Sequence, residues 1–238
     1  MKDTDRKTSG TAVVTGASSG IGQEIAKQLA WEGWRVLAVA RRAERLQELA
    51  GQRDGRIIPC ACDITTDDAP AAVFKAAENH FQGLDLLVNN AGVSWVSKLA
   101  EMPDNRLDAI LNLNVRALMR MCRESVPLLS SSSRGQIINV SSVAAHVPME
   151  SLSAYCASKA AVNMFSRVLA KELAEQGIRV NVLSPTGTDT ELFSVVGIEV
   201  EVDALVPADE MARMAILMTQ FPDSVDVGEV VAKKRFAP

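Results

Sequence analysis

The chain has one tyrosine, Tyr155, and a lysine four positions on, Lys159, within Ser153-Ala154-Tyr155-Cys156-Ala157-Ser158-Lys159. On a helix, positions i and i+4 share a face, so the phenol and the ammonium can enter one site. A free phenol ionises at about pH 10, too high for an efficient base at neutral pH. An adjacent cation favours the charged form of an acid, so the pair suits proton exchange. The same spacing also describes a solvated helix face. The elements around it decide which reading holds.

A second cluster lies near the N-terminus. Thr15-Gly16-Ala17-Ser18-Ser19-Gly20-Ile21-Gly22 follows an apolar run, Thr11 to Thr15, and opens a helical one. Helix N-terminal amides and the positive end of the helix dipole favour an anion there. Glycines let backbone approach a pyrophosphate, and Gly22 lets the helix pack close to the strand. The spacing is Gly-x-x-x-Gly-x-Gly rather than Gly-x-Gly-x-x-Gly. This predicts a dinucleotide site with Gly16, Ser18, Ser19, Gly20, Ile21 and Gly22 around the phosphates.

The next apolar run, Arg35 to Ala40, ends where an NAD site carries an acidic residue for the ribose hydroxyls. Ala40 stands there instead, followed by Arg41 and Arg42. A guanidinium matches a phosphate in charge and fork geometry. NADP(H) is therefore the predicted cofactor, with Arg41 as the 2′-phosphate ligand and Arg42 flanking the adenine or the phosphate.

These clusters sit in an alternation of apolar runs and helical stretches. Strands are predicted at Thr11 to Thr15, Arg35 to Ala40, Arg56 to Ala61, Leu84 to Val88, Gln136 to Val140, Arg179 to Leu183 and near Glu229 to Val231. Helices are predicted over about 20–32, 43–50, 66–81, 104–129, 153–176 and 208–220. Continuous apolar strands separated by helices indicate a parallel sheet covered on both faces. The expected fold is α/β, a doubly wound, mainly parallel seven-stranded sheet. The length of 238 residues suits one such domain, 1–238, with 1–8 as a tail.

A net charge of −4 without a basic run argues against a nucleic-acid surface. No apolar run is long enough to span a bilayer, and no apolar h-region follows the charged start. Cys60, Cys62, Cys122 and Cys156 show no disulfide or Cys-x-x-Cys spacing, and His80 and His146 are isolated. Neither a disulfide framework nor a metal site is expected. Reduced thiols make the cytoplasm the expected compartment.

Residues 11 to 190 resemble the short-chain dehydrogenase/reductase family in its single-domain form, with a weaker likeness to about residue 236. Thr15 to Gly22 matches the family's Thr-Gly-x-x-x-Gly-x-Gly, and Asn89-Asn90-Ala91-Gly92 its Asn-Asn-Ala-Gly. Asn114, Ser142, Tyr155 and Lys159 match its catalytic positions, and Asp63 with Ile64 its adenine contact. The resemblance implies a Rossmann-type fold and hydride transfer between NADP(H) and a carbonyl or secondary alcohol. Tyr155 would be the general acid/base, and Ser142 would bond the reacting oxygen. Lys159 would hold the nicotinamide ribose and lower the Tyr155 pKa, while Asn114 would fix a water leading to bulk. Asn90, Ala91, Gly92, Pro185, Thr188 and Thr190 would complete the cofactor site. A homodimer or homotetramer is also implied. Apolar residues on the outer faces of the 104–129 and 153–176 helices, including Met119, Met121 and Met164, offer a surface for it.

Two positions depart from the family pattern. Thr186 stands where glycine is usual, which would strain the backbone at positive φ, and Thr188 replaces a valine or isoleucine. About 187–207 would form a substrate lid. Ser94, Trp95, Ser142, Val143, Ala144, His146, Met149 and Leu192 would line the pocket, with His146 as a wall rather than a second base. A catalytically silent nucleotide sensor on this fold is the alternative, but it would be expected to lose Tyr155 or Lys159. An extended sugar-nucleotide epimerase would need more chain after residue 190.

Overall fold

The computed structural model describes residues 9–52, 55–191, 205–222 and 224–234. The strands are β1 (Thr11–Thr15), β2 (Arg35–Ala40), β3 (Ile57–Ala61), β4 (Leu86–Asn89), β5 (Gln136–Val140), β6 (Arg179–Pro185) and β7 (Glu229–Ala232). The helices are α1 (Gly20–Trp31), α2 (Ala43–Gly51), α3 (Ala69–Phe81), α4 (Asp104–Leu111), α5 (Leu118–Leu129), α6 (Ser153–Leu173) and α7 (Ala208–Met218). The seven strands pair in the order β3-β2-β1-β4-β5-β6-β7, and every pairing is parallel.

Alternate residues of one strand feed opposite layers. Ala12 and Val14 of β1 share a core with Ile25 and Leu29 of α1, Leu46 and Leu49 of α2, and Ile216 of α7. Val13, between them, joins Val73 and Phe74 of α3, Met121 and Cys122 of α5, and Val162 and Leu169 of α6. The two-residue period of the strand thus builds both cores of a doubly wound sheet. Burial of Leu29, Leu37 and Leu87 contributes roughly 1.5–3 kcal/mol each.

Local chemistry adjusts the element boundaries. The Asp63 carboxylate accepts from the Thr65 N–H at 3.0 Å and from its hydroxyl at 2.7 Å. This turn delays α3 to Ala69, with Pro70 in the first helical turn, where its missing N–H costs nothing. The helix expected over 104–129 divides into α4, a π turn over Asn112–Ala117, and α5. The extra residue of a π turn shifts the apolar stripe. Ile110, Leu118 and Cys122 are buried, whereas Leu111 is exposed. Met121, expected on the outer face, lies wholly in the core; Met164 is exposed as expected.

The chain winds outward in opposite directions from β1 and β4, and the C-terminal ends of these neighbours form the switch point where such folds bind ligands. After β6, Thr188 bridges to Val206, closing the base of the segment expected to be a lid. Most of that segment, including Leu192, lies outside the described residues, as does the expected tail over 1–8. No helix among the described residues is long and apolar enough to cross a membrane.

Candidate active site

Asn90 joins the two strands at the switch point. Its Nδ2 donates to the Thr15 carbonyl at 3.1 Å, and the Thr15 hydroxyl accepts from the Asn90 and Ala91 amides at 3.0 and 3.1 Å. The glycine loop wraps this junction. A Cβ on Gly22 would stand 2.3 Å from Asn90 Nδ2 and 2.6 Å from the Gly16 carbonyl oxygen, so only glycine lets α1 approach so closely. Ser19 precedes α1 with extended backbone, yet its side chain makes no capping bond. The amides of the first turn therefore have no side-chain cap from Ser19, and an anion would fit them. Ser18, Ser19, Gly20, Thr190 and Glu191 line a cleft of about 550 Å³ there, which does not extend to Ser142, Tyr155 or Lys159.

Arg42, not Arg41, lies across this loop. Its Nε and Nη2 donate to Ser18 Oγ at 3.1 and 3.0 Å, and Nη2 also to Ser19 Oγ at 2.7 Å. Arg41 is exposed, and its charge acts on Asp63. Arg42, directly before α2, has the reach to turn back over the loop. Asp63 follows β3, and Ile64 beside it is buried. Burial works against the Asp63 charge, but the Thr65 hydrogen bonds and Arg41 hold its carboxyl below the usual range.

The Asn114 side chain clamps the loop after β4. Its Oδ1 accepts from the Val93 N–H at 2.8 Å. Its Nδ2 donates to the Val93 carbonyl at 2.9 Å and to Ser158 Oγ at 3.0 Å. Gly92 packs against the same group. A Cβ there would lie 3.3 Å from Asn114 Oδ1 and 3.6 Å from Lys159 Nζ, so Gly92, Asn114 and Lys159 converge.

Ser142 follows β5 with extended backbone, and its Oγ accepts from the Ala144 amide at 3.1 Å. Ser142 lies close enough to the Tyr155 hydroxyl to favour its ionised form. Tyr155 is only partly covered, yet the protein around its hydroxyl pushes the phenol up to about 12, with Ser142 acting in the opposite direction. Lys159 is 5% exposed. Its Nζ donates to the Val140 carbonyl at 2.9 Å and lies 5.7 Å from the Tyr155 ring centre, and burial pushes its ammonium down to about 8. The expected lowering of Tyr155 by Lys159 is not found: burial dominates both groups, and the amine is turned to a carbonyl. A protonated phenol beside a fixed serine hydroxyl can hand a proton to an oxygen placed between them.

Residues expected to line the substrate pocket divide. Ser94, Val143 and Ala144 are buried, and Met149 is half-buried before α6. The Trp95 ring carries the Arg106 guanidinium 3.7 Å from its centre. His146 turns to β7, where Nε2 lies 2.7 Å from Glu229 Oε1. It borders a cleft of about 400 Å³ with Val143, Val147, Val231 and Lys233, not the space by Tyr155.

The departures after β6 are accommodated. Among the described residues only Gln82 and Ser151 are non-glycine positions at positive φ, so Thr186 is unstrained. β6 runs on through Pro185, and the Thr186 amide bonds Ala232 of β7 at 2.9 Å. Thr188 is buried, with its hydroxyl donating to the Thr186 carbonyl. Thr190 reaches the glycine loop, where a Cβ on Gly20 would stand 2.9 Å from its Cγ2. Three contributors escape the sequence reading: Ser158, Arg45 and Glu191. Ser158 had a signal, since it lies one turn after Tyr155 and its hydroxyl bonds the Tyr155 carbonyl at 2.7 Å.

A doubly wound sheet with a glycine loop at its switch point and a Tyr–Lys helix facing it is the build of a dinucleotide-dependent enzyme. The family described as short chain dehydrogenase matches residues 10–199, and the chain belongs to that family and is an oxidoreductase of it. An uncharacterized oxidoreductase of Staphylococcus epidermidis is 33% identical over 222 residues, which cover 93% of this chain and 96% of that protein. The structure of a 3-ketoacyl-(acyl-carrier-protein) reductase from Brucella melitensis complexed with NADH is similar with a TM-score of 0.88. It is 28% identical, with 94% of this chain and 96% of that chain covered. A metagenomic short-chain oxidoreductase in complex with NADP is 32% identical with a TM-score of 0.81, over 95% of this chain and 98% of that one.

Proposed function

We propose that this chain is an NADP(H)-dependent oxidoreductase that interconverts a carbonyl and a secondary alcohol, with Tyr155 as general acid/base. The observation that carries the reading is that Ser142 acts on the Tyr155 hydroxyl while Lys159, one turn on, lies 5.7 Å from the Tyr155 ring centre. When bound, the nicotinamide supplies or accepts the hydride. Tyr155 gives its proton to the substrate oxygen. A developing alkoxide is a stronger base than phenolate, so a phenol held up at about 12 donates downhill. Ser142 donates a second hydrogen bond to that oxygen, its Oγ fixed by the Ala144 amide. Asn114 holds the Gly92–Val93 backbone so that Lys159 keeps its place. The uncapped first turn of α1 and the close-packed glycines fit a pyrophosphate. Ala40 at the end of β2 and Arg42 on the loop favour a 2′-phosphate over a free ribose hydroxyl.

Fluorescence titration should show tighter binding of NADPH than of NADH; equal affinities would sink the cofactor preference. Tyr155→Phe should abolish NADPH oxidation in a screen of ketones, quinones, sugars and acyl-thioester ketones while still binding NADPH. Turnover surviving in that variant would remove Tyr155 from the chemistry.

A further inference from the structure

Three stretches far apart in sequence meet over the glycine loop: Ser18 and Ser19 before α1, Arg42 and Arg45 at the start of α2, and Glu191 after β6. Arg42 Nη1 donates to Glu191 Oε2 at 2.7 Å, and Arg45 pairs with Glu191 Oε1. The other side of the Arg42 fork rests on the two serine hydroxyls. One carboxylate thus offers an oxygen to each of two guanidiniums beside a phosphate loop. A phosphate monoester would present the same pattern of acceptors with more charge.

We propose that Glu191 is an internal anion that competes with a 2′-phosphate for Arg42 and Arg45, and so determines how strongly the chain prefers a 2′-phosphorylated cofactor. The inference rests on the reading that Arg42 receives that phosphate. A cofactor without the phosphate leaves the Glu191 pairs undisturbed. A cofactor with it must displace the carboxylate and then sit near it. The side chains of Arg42, Arg45 and Glu191 are 41%, 44% and 43% exposed. Solvent screening therefore keeps each pair weak, and the competition weakens 2′-phosphate binding by about three- to tenfold. Arg45 and Arg42 hold the Glu191 carboxyl at about 2, so the competing anion is present at every working pH.

The test is titration of the full chain with NADPH, NADH, 2′-AMP and 5′-AMP, in wild type, Glu191→Gln, Glu191→Asp and Arg42→Ala. Glu191→Gln should tighten NADPH and 2′-AMP by about three- to tenfold at low salt, less at high salt, and move NADH and 5′-AMP by under about twofold. Glu191→Asp, which keeps the charge, should resemble wild type. A purely structural role would move all four ligands together and would overturn the proposal. So would an unchanged NADPH affinity in Glu191→Gln, if wild type prefers NADPH and Arg42→Ala loses that preference; the cofactor reading would then survive alone. An Arg42→Ala variant that binds NADPH and 2′-AMP as tightly as wild type would overturn both, since Arg42 would then not receive the phosphate.

Discussion

Replacing Lys159 with methionine should flatten the dependence of stability on pH. Burial pushes the Lys159 ammonium from its ordinary 10.5 down to about 8. Between these values the unfolded chain holds the proton and the folded chain does not. Stability therefore rises with pH across that window, is fully present above 10.5 and is lost as pH falls through 8. Below that, both states hold the proton, and the folded state bears the whole cost of a buried ammonium. At about 1.4 kcal/mol per pH unit, the gap amounts to about 3 kcal/mol. Removing the amine also strips the Val140 carbonyl of its partner. The absolute difference between the proteins is therefore less informative than its slope. Urea melts of both proteins from about pH 7 to about 9.5 should show wild type gaining about 2 kcal/mol on Lys159→Met. Only the difference between the two proteins is read, because Cys60 and Cys122, raised to about 11 and 12, contribute the opposite slope to both from 9 upward, and Tyr155 from 10. Parallel stability curves would refute the reasoning, since they leave Lys159 in one protonation state throughout.

Gly92→Ala sets a methyl 3.3 Å from Asn114 Oδ1 and 3.6 Å from Lys159 Nζ. A displacement costing about 1.4 kcal/mol in the transition state lowers kcat about tenfold, and unchanged steady-state kinetics would show that Gly92 does not brace the site. Asn114→Leu leaves the Val93 amide and carbonyl and the Ser158 hydroxyl short of a partner. The unfolding free energy should drop by about 2–3 kcal/mol, and a fall below about 0.5 kcal/mol in chemical denaturation would mean that the clamp does not hold the loop.

Much of this architecture is legible because it depends on local pattern. The apolar strands separated by amphipathic helices dictate a parallel sheet, and Gly22 announces a close approach that Asn90 and Gly16 then make. Other features depend on which distant residues the fold brings together. Glu191 meets Arg42 and Arg45 across 149 and 146 positions, and nothing near it in sequence marks that meeting. His146 is drawn to Glu229 across 83 positions. Thr186 invites concern by comparison with glycine, but the outcome is set by how far β6 pairs with β7. The π turn carries no proline or glycine to signal it.

The protonation of the Tyr155–Lys159 pair is the part that spacing alone misjudges. An ammonium lowers a neighbouring phenol only while it remains charged and directed at it. Here the groups share α6 but face the ends of β4 and β5, where burial drives each toward its neutral form: Lys159 to about 8 and Tyr155 to about 12. Lys159 still holds its proton at neutral pH, but it directs that charge to the Val140 carbonyl rather than to the phenol. On the proposed chemistry this favours one direction. The phenol already carries the proton that carbonyl reduction needs. Alcohol oxidation needs the phenolate, which burial opposes by holding the phenol at about 12. Below about pH 8 the ammonium is present, and what limits its pull on the tyrosine is where it points.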